Sequence, residues 1–154
     1  MQTSQVILSF LARFFVGIVF IFFAVNKIFD WQDTERIFTT AICDWHTYVS
    51  YWVTLQDFCS SALSYTPTIA MVCTGLELIG GLMLVFGWQI RLGAFLLVLV
   101  FLPTIILFHP FWFLDGTTRE ISFNLFMREL AILGGLFAFL AYVTQKGKAP
   151  APKK

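Results

Sequence analysis

The chain has 154 residues, 58% of them hydrophobic, 18% aromatic and 12% charged, with a net charge of +1. A soluble domain carries about 25% charged residues, and a chain this short could not hide 19 phenylalanines from water. Lipid is the alternative solvent, and a charge so close to zero gives no reason to expect nucleic acid as a partner.

A hydrocarbon core of about 30 Å takes about 20 apolar residues as a helix. Four segments meet that length. The first covers residues 6–29. It has no basic residue ahead of Arg13 and ends in "FFAVNKIF", which lacks the small residues of a leader cleavage site, so it reads as a retained span. Residues 30–67 form a long polar loop. Within it Ile37, Phe38, Ala41, Ile42, Trp45, Tyr48, Val49 and Trp52 recur at steps of three and four. That period predicts an amphipathic helix, lying in the membrane interface or over the bundle. Trp31, Trp45, Trp52, Trp88 and Trp112 fall near predicted interfaces, where indole rings prefer to sit. Cys43 and Cys59 share the loop, and in an oxidising compartment they could pair as a disulfide; spacing alone does not decide it. Cys73 lies in the second span and reads as a small packing residue.

The second span covers 68–88, with Glu77 at its centre. The third covers 92–114, with a kink expected at Pro103 and a stop at Pro110. The fourth covers 123–143. None of the four alternates polar and apolar as barrel strands do. The expected fold is therefore all-α, an integral membrane four-helix bundle over residues 1–145. Residues 146–154, a Lys/Pro/Ala tail, have nothing apolar to bury and read as disordered. Lys146, Lys148, Lys153, Lys154 and Arg91 lie on one side of this topology, while acidic residues dominate the other. The distribution puts both termini in the cytoplasm and the long loop outside.

The charges within the spans share helical faces with small residues. The first span carries Arg13, Gly17, Phe20, Ala24 and Lys27 on one seam. The second carries Cys73, Glu77, Gly80, Leu84 and Gly87, with Gly81 alongside. The fourth carries Asn124, Arg128, Ala131, Gly135, Ala138 and Tyr142, with Glu129 next to Arg128. Helices in lipid associate through small residues and polar contacts, and a charge facing lipid at mid-depth costs about 2.5–3.5 kcal/mol on insertion scales. All three seams are therefore expected inside the bundle. Side chains lean toward the amino end of their helix. Glu77 should lean outward, toward Arg128 rather than Arg13, while Lys27 near its helix end snorkels. Two uses fit such a network. It could consist of ion pairs that fix which helices meet. Alternatively Glu77, His109, Arg128 and Glu129 could line a polar pocket where a carboxylate beside a histidine relays a proton or hydrogen-bonds a quinone carbonyl. Haem would want a second histidine in the bundle, and the other one, His46, lies in the loop. No metal-ligand spacing is visible.

These residues resemble the DoxX family, small four-helix membrane proteins of bacteria and archaea. The first-helix pattern of arginine, glycine, phenylalanine and lysine falls on Arg13, Gly17, Phe20 and Lys27, with Ala24 where the family often has glycine. The second-helix pattern falls on Glu77, Gly80, Gly81, Gly87 and Arg91. The third falls on His109, Phe111 and Trp112, and the fourth on Asn124, Arg128, Glu129, Gly134 and Gly135. The resemblance implies a bacterial plasma-membrane protein associated with electron transfer. Such a protein would be a subunit of a quinone-linked or related oxidoreductase complex, anchoring a protein partner and having no redox centre of its own. The alternative is a non-enzymatic scaffold or assembly subunit. A small-solute transporter fits less well, because no pair of broken helices flanks a site.

Overall fold

A computed structural model describes Gln2–Lys146, with side chains over residues 4–141. The tail beyond Lys146, and the side chain of Tyr142, lie outside the described residues. Six α-helices and one 3₁₀ turn make up this part of the chain. The first span is α1 (Gln2–Phe29), the second α4 (Thr66–Phe86), the third α5 (Ile90–Phe108) and the fourth α6 (Gly116–Lys146). All four are long and apolar enough to cross a membrane.

Local chemistry sets the boundaries. Asp30 caps the helix that follows α1 by accepting the Asp33 amide. Pro67 stands in the first turn of α4, where its missing amide costs nothing. Gly87 ends α4 in the left-handed region, with φ 71°. α5 stops at Phe108, one residue before His109 and Pro110, as Pro110 requires. It runs unbroken through Pro103, and next to that proline Thr104 Oγ1 donates to the carbonyls of Val100 and Phe101 at 3.1 and 3.0 Å.

The loop holds two helices where its periodicity announced one: α2 (Trp31–Tyr48) and α3 (Val53–Ser64). α2 buries Phe38, Ala41 and Ile42 and packs on α4, α1 and α5. Trp52, assigned to the apolar face from its spacing, instead caps the start of α3 and is exposed. α3 buries no residue fully and leans on α2, which is why its sequence carries so weak a period.

The spans stand in the order α1, α4, α5, α6, and α6 meets α1 only marginally. Glycines bring the first three together. A Cβ on Gly17 would lie 2.8 Å from the Gly81 carbonyl, and one on Gly81 3.0 Å from the Gly17 carbonyl. One residue round α4, Gly80 meets Gly93 in the same way, each 3.1 Å from the other's carbonyl. Gly93 is a packing glycine that the sequence reading passed over, because no charge marks its face. Phe20, Leu84, Leu97, Phe101, Leu133 and Leu136 form the core beside these crossings.

Candidate functional site

Two carboxylates of the spans, Glu77 and Glu129, each face a nitrogen side chain. Glu77, 3% exposed, receives the Lys27 ammonium on both oxygens, at 2.8 and 2.7 Å. α1 and α4 run antiparallel, so the amino-terminal lean of each side chain brings the two heads toward one another. The pairing fits the expected lean of Glu77 toward the amino end of α4, but its partner is Lys27 and not Arg128. Lys27 does not snorkel: its own lean carries it back into the bundle, where its side chain stays 24% exposed and lies over the Phe38 ring. One turn along α4, Thr74 Oγ1 is buried without a hydrogen-bond partner among the described residues.

The second pair closes the far end of α5. His109 Nε2 lies 3.1 Å from Glu129 Oε1, with side chains 12% and 33% exposed. His109 is the C-cap of α5, held by its amide to the Ile105 carbonyl. Pro110, buried behind it, forces the chain into the 3₁₀ turn Phe111–Phe113. That turn lays Phe111 edge-on to Phe123 and Phe126, and Trp112 against Phe126. The pair therefore sits beside an aromatic shelf shared by the turn and α6. Trp45 of α2 completes the end of α5 by donating its indole N–H to the Leu107 carbonyl at 3.0 Å.

Other candidate residues stand apart. Arg13 packs its guanidinium over Gly87 and donates to the Ser9 carbonyl at 3.1 Å. Asn124 and Arg128 are exposed on the side of α6 that turns away from the bundle. No atom would come within 4 Å of a Cβ on Gly134 or Gly135. The fourth seam thus exists but faces outward. α6 buries the opposite side, with Ser122, Leu133 and Leu136, so the expected packing role of Gly135 is not met within this chain. For the same reason Glu77, His109, Arg128 and Glu129 do not share one pocket.

Cys43 and Cys59 are free thiols. Cys43 is exposed, one position round α2 from the buried Ile42, while Cys59 of α3 turns into an apolar hollow of about 410 Å³ between α2, α3 and α5. The two therefore face different surroundings and do not meet in a bridge. Among the described residues no three His, Cys, Asp or Glu side chains cluster as a metal site would need.

Four apolar spans, a buried ion pair and glycine crossings define a multi-pass membrane protein. The DoxX family model matches residues 8–110, about two thirds of the chain, and the chain belongs to the DoxX family. The match runs through α5 and stops at Pro110, so α6 lies beyond it. Comparison with curated proteins and with solved structures gave no match.

Proposed function

We propose that this DoxX protein is the membrane subunit of a quinone-linked oxidoreductase complex, anchoring a partner and presenting the His109–Glu129 pair at the bilayer edge. In this reading it sits in a bacterial inner membrane with both termini in the cytoplasm and α2 and α3 outside. The observation that carries the proposal is the pair itself. A carboxylate 3.1 Å from an imidazole, partly open, can pass a proton between solvent and a bound group. Phe111, Phe123, Phe126 and Trp112 beside it suit a flat ring. A quinone fits these residues: His109 would donate to its carbonyl, and Glu129 would hold the imidazole in place and restore its proton. Two-electron chemistry, when a quinone is bound, belongs to that group and to a partner's cofactor.

The test is the quinone content of protein purified in mild detergent, against a detergent extract of the same membranes. Wild type should be enriched in quinone. Glu129→Gln and His109→Gln should lose the enrichment while keeping the thermal midpoint. Wild type at the background level would remove the quinone from the proposal.

The second reading, a scaffold without chemistry, is favoured by Glu77. Its carboxylate is buried against Lys27, with both oxygens taken by the ammonium. If that reading holds, Glu129→Gln leaves the activity of the assembled complex untouched, and changes on α2 and α3 release the partner.

A further inference from the structure

The outward face of α6 is unlike the other surfaces the spans turn to lipid. Those carry Phe15, Phe22, Phe86, Phe95 and Leu99. This one reads Asn124, Arg128, Ala131, Gly134 and Ala138, all exposed, with Gly135 between them. Asn124, Arg128, Ala131, Gly135 and Ala138 follow at steps of four, three, four and three, the spacing of a packing seam. Arg128 lies two turns, about 10 Å, inside the apolar run that begins at Ile121, and it has no hydrogen bond or ion pair among the described residues. Glu77 and Glu129 are already engaged, by Lys27 and His109, and Glu120, exposed on the same face of α6, stands eight residues, about 12 Å, along the helix from Arg128. Small residues below an uncompensated cation give lipid nothing to hold but let a helix approach closely.

We infer that this face of α6 docks a transmembrane helix of another protein, one carrying an unpaired aspartate or glutamate at the depth of Arg128 and small residues on the turns beyond. Charge complementarity decides the occupant. A second copy of this chain, packed in parallel through the same seam, would set Arg128 against Arg128, with Glu120 of either copy about 12 Å away along the axis. A partner carboxylate neutralises the guanidinium, and Asn124 one turn away adds a donor and an acceptor for the same head group. Gly134, Gly135 and Ala138 let the two backbones close together beneath that contact.

The inference rests on the reading of the protein as a subunit, but it is tested separately. The full chain is placed in phosphatidylcholine vesicles with synthetic single-span Leu/Ala helices that carry glycines at packing steps and one Glu, Gln, Leu or Lys two turns from the matching end. Association is read by energy transfer. The Glu peptide should bind about tenfold more tightly than the Leu peptide, and the Lys peptide least. Arg128→Leu should erase the preference for Glu, and Gly135→Leu should weaken binding of every peptide. His109→Gln should change nothing, so a failure here is distinct from a failure of the quinone test. Equal binding of Glu and Leu peptides overturns the inference, because it means that Arg128 snorkels to head groups. Self-association of the chain that depends on Arg128 also overturns it.

Discussion

At the scale of single residues, the partner of Glu77 decides the character of the bundle. Removing one member of a buried pair strands the other, which costs about 3–5 kcal/mol, whereas replacing both with apolar residues is often neutral. Lys27 keeps some contact with its surroundings, so the lower end of that range applies. Lys27→Met and Glu77→Leu should each lower the thermal midpoint in detergent strongly, and the double variant should recover most of the loss. Thermal unfolding of the three variants in one detergent checks this; a double variant as unstable as the sum of the singles would mean that the two residues act independently. The sequence displayed both charges and their lean, but not their pairing. Choosing between Lys27 and Arg128 needed the order in which the helices stand, and no residue type encodes that order.

The same scale separates the loop cysteines. Burial pushes the Cys59 thiol above its ordinary range. Less of it is thiolate at pH 8 than of an unperturbed thiol, and its alkylation should still be climbing as the pH passes 9. Cys43, exposed on α2, should label first at pH 8. Mass spectrometry of partially alkylated protein reads both rates; equal labelling would mean that α3 does not rest where it lies here.

At the scale of elements, two glycine sets that look alike in the sequence differ in their surroundings. Gly81 is pressed against Gly17 and Ile21, so Gly81→Val forces α1 from α4, and overpacking of this kind costs about 1–3 kcal/mol. Gly135 has open space above it, so Gly135→Ala should leave the isolated chain's thermal midpoint unchanged or slightly raised. The seam rule marks both as contact faces, and within this chain the contact is made at Gly81 alone of the two. It could not say whether the contact is made by this chain or by another, because the preference of small residues for close approach is the same in either case. Trp45 belongs to this scale too. Pro110 has no amide to return to α5, and the Trp45 indole serves one of the helix's last carbonyls. Trp45→Phe keeps the rings that meet Trp112 and Phe113 but loses that bond, at about 1 kcal/mol; a thermal scan beside the wild type measures it.

At the scale of the whole molecule, an even number of spans brings both ends of the chain to one side of the membrane. A membrane-impermeant thiol reagent applied to intact cells should label Cys43 if α2 and α3 face outward, and reporters fused to either end should agree with each other. The four spans were legible because twenty apolar residues in a row have few other uses. α3 was not, since it is short, lies on α2 and buries nothing fully, so no period betrays it. The outward turn of α6 was also hidden: its buried side of Leu133 and Leu136 is as apolar as a lipid-facing side.

The contact of Arg13 with Gly87 has a consequence for the bilayer. Gly87 closes α4, so the part of α1 ahead of Arg13, with Val6, Leu8 and Phe10 uncovered, runs on past the end of its neighbour. The apolar span of α1, 26 residues from Ser4 to Phe29, comes to about 39 Å, while the 21 residues of α4 reach about 32 Å. One membrane thickness cannot match both. Either α1 leans well over or the lipids stretch around its projecting end, and a thicker bilayer should stand it upright.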